Sequence, residues 1–293
     1  MTTNDEIDAL LHVDPSSHIP ERIVPGHTVR DETADHMARY GFAATRAQGA
    51  TLDLGSGVGY GAAIIATAQT VDFVIAFDIS SSALAFGKSS YGERVSFVTG
   101  DARALPFPKD SLDSIICLEA IEHVPDARRV LEEIARVLRP EGVLIVSTPN
   151  KWATSPLSRR PLNPYHVYEW YPRAFREMVA TYFEIEEVVG QSWHSIGFTF
   201  QALRRNIRRH VKAFLSRVRL LGVAQRMRKA GLGGTQALPR GASSAVDVPA
   251  REEVLAAWPR SWTSTRKQGI PITMILIARP LASRALGVKQ EPK

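Results

Sequence analysis

Cysteine is almost absent from this chain of 293 residues, since Cys117 is the single one. One cysteine excludes an intrachain disulfide and a cysteine-rich metal site, and it fits a reducing compartment. Long apolar runs are also lacking, because no stretch approaches the ~20 apolar residues of a membrane-spanning helix. The first eleven residues carry three acids and no apolar run, which argues against a secretory signal. We therefore expect a cytoplasmic protein.

The composition is that of an ordinary globular protein, with 44% hydrophobic and 23% charged residues. The length suits one α/β core with an added segment. The net charge is +6. We divide the chain into an N-terminal segment with an entrance helix (1–47), a core (48–191), a basic helical insertion (192–268), a last core strand (269–280) and a tail (281–293).

Short apolar segments alternate with segments of helical periodicity along the core. Helices are predicted at 33–47, 62–68, 81–88, 127–138 and 171–181, and strands at 50–54, 73–77, 95–98, 114–118, 143–146, 183–189 and 270–278. Between them, five prolines in 148–172 indicate a loop or lid. This pattern predicts an α/β fold with a doubly wound, mainly parallel, seven-stranded sheet covered by helices on both faces.

A glycine-rich turn follows the first predicted strand, in the segment Leu52-Asp-Leu-Gly-Ser-Gly-Val-Gly-Tyr-Gly61. Gly55, Gly57 and Gly59 allow a tight turn and a close approach of the backbone to a ligand at a helix N-terminus. The spacing G-x-G-x-G differs from the G-x-G-x-x-G of dinucleotide-binding proteins. Asp78 ends the second strand, where a carboxylate suits a ribose diol. Asp101, after the third strand, is placed to bind an adenine amino group.

These elements, in this order over residues 50–150, resemble the class I S-adenosylmethionine-dependent methyltransferases (type 11) with a Rossmann-like fold. The resemblance implies that Asp53 and the turn from Gly55 to Gly59 hold the amino-acid portion of the cofactor. Asp78 and Asp101 then bind the ribose and the adenine. The further cofactor-binding residues that it implies are Ser56, Tyr60, Ile79, Ala102 and Leu118.

Acidic and imidazole side chains cluster after the fourth strand, in Leu118-Glu-Ala-Ile-Glu-His-Val-Pro125. Glu119, Glu122 and His123 share a face if they form one helical turn. His166 comes later, after the fifth strand. We predict that Glu122, His123 and His166 are catalytic, because methyl transfer to a hydroxyl needs a proton acceptor. The open alternative for the histidines is a structural role in orienting loops.

Glu119, Glu122, His123 and His166 also form a candidate site for Mg²⁺ or Mn²⁺. The pattern Glu-x-x-Glu-His with a distant histidine is similar to that of the ubiquinone-biosynthesis O-methyltransferases and the small-RNA 3′-terminal ribose methyltransferases. Both families use such residues around a divalent ion that contacts substrate hydroxyls. A metal ion lowers the pKa of a bound hydroxyl.

The flanks, Ile19-Pro-Glu-Arg-Ile-Val-Pro-Gly26 and Asn163-Pro-Tyr-His-Val-Tyr-Glu169, resemble bacterial methyltransferases of cell-surface glycan assembly. The resemblance implies a sugar hydroxyl as the acceptor, with Arg22, Arg39 and Tyr40 at the entrance. Aromatic residues at 165, 168, 170 and 171 suit stacking on a sugar ring, and they equally suit packing of the core and lid.

The segment 204–229 contains ten Lys and Arg and no acid, beside an apolar stripe of helical spacing. Such a basic amphipathic helix is typical of peripheral contact with a membrane surface. A helix docked on the core with a solvated basic face is the open alternative. Nucleic acid ranks last, because no RNA-binding motif with interleaved aromatics is present.

We therefore predict an S-adenosylmethionine-dependent O-methyltransferase for a hydroxyl of a sugar or glycolipid-type metabolite, with metal assistance as one form of the reaction. The alternatives are an O-methyltransferase for quinones or polyketides, an S-adenosylmethionine-binding regulator, and an RNA ribose methyltransferase.

Overall fold

The computed structural model describes residues 30–194, 260–261 and 270–281. Eight strands form one sheet in these residues: β1 (Gly49–Leu54), β2 (Val71–Asp78), β3 (Val95–Thr99), β4 (Leu112–Cys117), β5 (Leu138–Pro149), β6 (Phe183–His194), β7 (Arg260–Ser261) and β8 (Ile270–Pro280). Their order across the sheet is β3-β2-β1-β4-β5-β8-β6-β7. The first five strands are parallel, whereas β8 pairs antiparallel with β5 and β6. The predicted doubly wound, mainly parallel sheet is confirmed, with the two-residue β7 added at one edge.

Six helices accompany the sheet in the described part of the chain: α1 (Arg30–Ala44), α2 (Tyr60–Ile65), α3 (Ser81–Tyr91), α4 (Ala127–Val137), α5 (Lys151–Thr154) and α6 (Pro172–Val179). Three of them are preceded by a residue whose side chain accepts a backbone N–H of the first turn. Ser80 caps α3, Asp126 caps α4 and Asn150 caps α5 in this way, which satisfies donors that have no partner within the helix.

The sheet separates two apolar clusters, as the alternating directions of strand side chains require. Ile115 of β4 packs into the cluster that contains Leu131 of α4 and Phe175 of α6. Its neighbour Ile116 packs into the cluster on the other face, which contains Phe42 of α1. Because helices cover both faces of the sheet, a ligand can reach the sheet at the ends of the strands.

Strand β6 is longer than the strand predicted at 183–189. β6 continues through residues 192–194, and Arg260 and Ser261 pair with Gly190 and Val189. The strand extends because backbone pairing with β8 continues as far as His194 and Ile270. The basic segment 204–229, the first 29 residues and the tail beyond Leu281 lie outside the described residues. None of the helices that are described combines the length and the apolar composition needed to cross a bilayer.

Candidate active site

A cavity of about 590 Å³ opens at the carboxyl ends of the parallel strands. Open α/β sheets bind ligands at this edge. The predicted site residues that line the cavity are Gly55, Ser56, Gly57, Tyr60, Asp78, Ile79, Asp101, Ala102, Leu118, Glu119, Glu122, His123 and His166. Asp53 and Gly59 are not among the lining residues. Asp53 precedes the turn on β1, and Gly59 ends the turn at the start of α2.

The glycine turn after β1 has left-handed backbone at all three predicted glycines, with φ of 80° at Gly55, 55° at Gly57 and 79° at Gly59. A side chain at Gly55 is also excluded by space, because its Cβ would lie 2.5 Å from the Cβ of Ala120. Around a Cβ placed at Gly57, in contrast, no atom lies within 4 Å. The turn therefore leaves room for a ligand beside Gly57.

Asp78 ends β2 and holds this turn. One carboxylate oxygen accepts the N–H of Gly57 at 2.9 Å, and the other accepts the N–H of Ser80 at 2.8 Å. A carboxylate has about four acceptor sites, so these two hydrogen bonds alone do not fill it. Asp78 thus fits two tasks together, orienting the glycine turn and accepting the ribose hydroxyls of a nucleoside.

Asp101 lies beyond β3 at the other end of the cavity, and Arg103 binds its carboxylate. The guanidinium donates to both oxygens at 2.6–3.1 Å, and the N–H of Arg103 adds a bond of 2.9 Å. The side-chain hydrogen bonds from Arg103 lower the pKa of Asp101. The sequence interpretation did not include Arg103, which lines the cavity beside Ala102. An adenine amino group would share the carboxylate with it.

Buried polar groups meet at the inner end of the cavity. Asp53 is fully buried and accepts the hydroxyl of Tyr40 at 3.1 Å. Burial raises the pKa of Asp53 to about 7, although the Tyr40 hydroxyl opposes this shift. Within the described residues, no hydrogen-bond partner is found for Asp53 Oδ2, Ser56 Oγ, Tyr60 Oη or Arg39 Nε.

Unpaired buried polar atoms cost free energy unless a ligand satisfies them. A carboxylate and a guanidinium with unsatisfied atoms match the ammonium and carboxylate of an amino acid. The residues at this end therefore fit the methionine portion of S-adenosylmethionine. Arg39 and Tyr40 come from α1, which closes the cavity at this point.

The structure corrects the predicted helical turn at 119–123. Glu119 has left-handed backbone with φ of 50°, and a 3-10 turn covers only Ile121–His123. The shared face of Glu119, Glu122 and His123 is therefore wrong, because a left-handed residue interrupts a right-handed helix. The Glu119 carboxylate instead accepts the Ser147 hydroxyl at 2.7 Å and pairs with Arg39 at 3.1 Å.

The other three predicted metal ligands do come together. Ligand atoms of Glu122, His123 and His166 all lie within 4.8 Å of one another. The two imidazole rings are 5.1 Å apart, edge to face. Glu122 is completely buried, and burial, together with the charge of Glu119, raises the pKa of its carboxyl, which the charge of His166 opposes. Glu119 is not part of this group.

The loop that carries His166 is hydrogen bonded to the 3-10 turn through the backbone. The carbonyl oxygen of Glu122 accepts the N–H groups of Val167 and Tyr168 at 2.9 and 3.2 Å. Thr148, at the end of β5, donates to the Glu122 carboxylate at 3.3 Å. These bonds bring His166, which is 43 positions from His123 in the sequence, to the same cavity wall.

His166 is oriented by a buried carboxylate. Its Nδ1 donates to Glu169 at 2.8 Å, and the side-chain amide of Asn163 donates to its Nε2 at 3.0 Å. Burial raises the pKa of Glu169, but hydrogen bonds from His166, Ser155 and Thr154 outweigh it and lower the pKa. The spacing His166-x-x-Glu169 is the sequence signal for this pair, which the sequence prediction lacked.

The strand order and the glycine turn define the Rossmann-like fold of class I methyltransferases. Residues 52–146 match the family model described as a methyltransferase domain. A probable S-adenosylmethionine-dependent methyltransferase of Mycolicibacterium smegmatis is 35% identical over 187 residues, which cover 60% of this chain and 72% of that protein. The chain belongs to the S-adenosylmethionine-dependent methyltransferases, and the resemblance stated from the sequence is confirmed.

Two further similarities are consistent with this assignment. A probable S-adenosylmethionine-dependent methyltransferase of Mycobacterium tuberculosis is 42% identical over 118 residues. That match covers 40% of this chain and spans about two fifths (42%) of that protein's length. The putative methyltransferase solved in complex with the Haloferax volcanii activator Trm112 has a TM-score of 0.51 at 18% identity. It covers 85% of this chain and 90% of that one, and it shows the fold alone.

Proposed function

We propose that this methyltransferase transfers the methyl group to a hydroxyl oxygen and that His166 is the general base. The observation that carries the proposal is the hydrogen bond of 2.8 Å from His166 Nδ1 to the buried Glu169. A carboxylate only accepts, so Nδ1 carries the hydrogen and Nε2 carries the lone pair. A neutral imidazole held in this tautomer is the form that a general base requires.

The reaction forms an O–CH₃ bond and breaks the S–CH₃ bond, with S-adenosylhomocysteine as the leaving product. The hydroxyl proton moves to His166 Nε2, and Glu169 stabilises the imidazolium that results. Asn163 gives up its hydrogen bond to Nε2 when the acceptor hydroxyl takes that place. Tyr165 N–H holds the Asn163 amide oxygen at 3.0 Å, which keeps the amide nitrogen directed at the ring.

His123 supports the same step from its place beside His166. The carbonyl oxygen of Tyr165 accepts from its Nδ1 at 3.1 Å, so the lone pair of His123 also lies on Nε2. Glu122, within the 3-10 turn, keeps the two rings at their spacing, because its carbonyl oxygen accepts two N–H groups of the loop that carries His166. We assign His123 to binding the acceptor and Glu122 to positioning.

We propose that the acceptor is a sugar or a glycolipid-type metabolite. Tyr165 and Tyr168 are exposed aromatic rings on the loop that carries His166, and Trp152 is a third exposed aromatic ring. Such rings stack on the apolar faces of sugars while their polar atoms bind hydroxyls. The cavity that the loop borders also contains the apolar side chains of Ile121, Val124 and Val130.

A metal-assisted form of the reaction is the second candidate, because Glu122, His123 and His166 offer three ligand atoms within 4.8 Å. The buried Glu122 Oε1 has no partner within the described residues, as a ligand oxygen requires. One carboxylate and two imidazoles suit Mn²⁺ better than Mg²⁺, which prefers oxygen ligands. When bound, such an ion lowers the pKa of an acceptor hydroxyl.

Methyl transfer from [¹³C-methyl]-S-adenosylmethionine to extracted glycans and lipids tests the proposal, since ¹³C NMR separates O-methyl from N- and C-methyl products. We expect O-methyl signals with wild type and none with His166→Gln. Glu169→Gln retains part of the activity with an altered pH profile, because the imidazole loses its orienting charge. Full turnover by His166→Gln, with S-adenosylhomocysteine binding intact, would refute the assigned base.

A dialysis experiment separates the two forms of the reaction. A metal-assisted enzyme loses turnover in excess EDTA and recovers it with Mn²⁺, whereas a metal-free enzyme is unaffected. Glu122→Gln removes a ligand charge and leaves the cofactor cavity intact, so S-adenosylhomocysteine binding serves as its control. EDTA-resistant turnover would leave His166 as a metal-free base.

A further inference from the structure

Exposed apolar side chains are concentrated on one segment of the surface. Seven large apolar residues are exposed in the described part of the chain, and five of these lie between positions 152 and 168. The five are Trp152, Leu157, Tyr165, Val167 and Tyr168, with exposed fractions from 39% to 66%. An exposed apolar patch of this kind marks an interaction site, since single apolar residues scattered over the surface would need no explanation.

The same segment is basic. Residues 151–168 contain Lys151, Arg159 and Arg160 and no Asp or Glu. The first acid beyond them is Glu169, which is 1% exposed and hydrogen bonded to His166. We call the five apolar residues and these three cations the basic–apolar patch.

The ring of Tyr171 joins the first half of the patch into one surface. The Trp152 ring lies 4.7 Å from it, and the Lys151 ammonium lies 5.5 Å above it. The Tyr171 hydroxyl also accepts the N–H of Leu157 at 3.2 Å. Lys151, Trp152 and Leu157 are therefore neighbours in space as well as in sequence.

We propose that the basic–apolar patch docks this protein on an anionic phospholipid surface. Tryptophan and tyrosine are favoured at the boundary between lipid headgroups and acyl chains. Aliphatic Leu157 and Val167 gain by entering that boundary, whereas a nucleic acid offers them little apolar surface. Lys151, Arg159 and Arg160 are attracted by anionic headgroups without opposing charge from their own segment.

The docking orients the active site. Thr154 and His166 belong to the segment that carries the patch, and both line the cavity. A membrane beneath the patch therefore lies beside the part of the cavity that Thr154 and His166 line. We call this part the acceptor end, and an acceptor held in the bilayer can reach the methyl group there. Vesicle binding needs no turnover, so the docking can fail or succeed independently of the proposed hydroxyl transfer.

Flotation of the full chain with vesicles tests the proposal. The two vesicle types are phosphatidylcholine alone and phosphatidylcholine with phosphatidylglycerol. We expect wild type to prefer the anionic vesicles. Trp152→Ser with Leu157→Ser lowers the partition coefficient at least about tenfold. Replacing Lys151, Arg159 and Arg160 by Gln lowers it about fivefold per charge and removes the preference.

Two controls isolate the patch. Phe73→Ser removes an apolar side chain that is 51% exposed elsewhere on the surface, and it should bind vesicles like wild type. Replacing the ten cations of 204–229 by Gln shows how much that segment contributes, and the patch variants should still lower binding in this background. Binding of S-adenosylhomocysteine verifies that each variant is folded.

Three results would overturn the docking. The first is that wild type floats with neither vesicle type. The second is that both patch variants float as wild type does. The third is that the patch variants lose affinity for single-stranded RNA while they still float as wild type does. The last result would assign the surface to a nucleic acid.

Discussion

The guanidinium of Arg39 lies 3.1 Å from the carboxylate of Glu119, and both side chains are largely buried. Arg39 belongs to α1 and Glu119 follows β4, so this ion pair ties the entrance helix to the carboxyl edge of the sheet. Thr273 of β8 also donates to Glu119, at 3.4 Å. The pair places a cation at the inner end of the cavity, where the carboxylate of the cofactor's methionine is expected.

Replacing Arg39 should weaken binding of the amino-acid portion of the cofactor selectively. For Arg39→Ala, we expect the affinity for S-adenosylhomocysteine to fall by about 1.5–3 kcal/mol, or roughly ten- to a hundredfold. Affinity for 5′-methylthioadenosine, which has no amino acid, should stay unchanged. Calorimetry with both ligands measures the difference.

Arg46 provides a matched control for this prediction. It follows α1 and pairs with Glu187 at 3.1 Å, but both groups are partly exposed and lie outside the cavity. Exposed ion pairs contribute about 0–1 kcal/mol, so Arg46→Ala should bind both ligands as wild type does. If Arg39→Ala lost affinity equally for both ligands, the substitution would have disturbed helix α1 and not the contact with the cofactor's carboxylate.

Asp78→Ala should lose cofactor affinity by at least tenfold. Two ribose hydroxyls lose their acceptor, each hydrogen bond to a charged group being worth about 1.5–3 kcal/mol. The N–H of Gly57 also loses its partner, so the turn becomes less ordered. Asp78→Asn keeps an acceptor oxygen and should retain part of the affinity. Unchanged calorimetric affinity of Asp78→Ala for 5′-methylthioadenosine would contradict the ribose assignment.

Asp53 should make cofactor binding depend on pH. Burial raises its pKa to about 7 in the free protein, and a bound ammonium group stabilises the ionised form. Affinity for S-adenosylhomocysteine should therefore fall as the pH drops below about 7, approaching about tenfold per pH unit. Isothermal calorimetry at pH 6 and 8 measures it.

The raised pKa of Asp53 has the opposite effect on the folding stability of the free protein, which decreases as the pH rises. The neutral carboxyl is favoured on folding, so the contribution of Asp53 to stability is fully present below its unfolded pKa of about 3.9 and is lost as the pH rises through about 7. Asp53→Asn should remove both pH dependences. An undiminished slope in this variant would assign the titration to another group.

Gly61→Ala should destabilise the contact between α1 and α2. A Cβ at Gly61 would lie 2.1 Å from the ring of Tyr40, so the ring or the helix must move. We expect a loss of about 1–3 kcal/mol in denaturant unfolding, the usual cost of overpacking. Tyr40→Ala removes the obstacle, so adding Gly61→Ala to that variant should cost little. An equal cost in both backgrounds would show that the ring is not responsible.

Much of the fold follows from local sequence patterns. Short apolar runs located the five parallel strands, because strands buried on both faces are apolar along their length. The apolar period of 3.6 residues located α4, because a helix buries one stripe of its surface. The spacing of Gly55, Gly57 and Gly59 likewise indicated the turn, since left-handed backbone favours glycine. Asp78 was placed correctly on the cavity because the carboxyl ends of parallel strands share one edge of the sheet.

Contacts between distant segments were decided only by the tertiary structure. Glu119 turns toward Arg39 because its backbone is left-handed, and no local period encodes a left-handed glutamate. Arg103 shares the carboxylate of Asp101 through the shape of one loop. His166 reaches His123 because backbone N–H groups of its loop bind the carbonyl oxygen of Glu122. Such contacts depend on how helices and loops pack on the sheet. Residue types and spacing therefore determined the glycine turn and the aspartates of the cofactor site, whereas packing determined which side chains meet at the acceptor end.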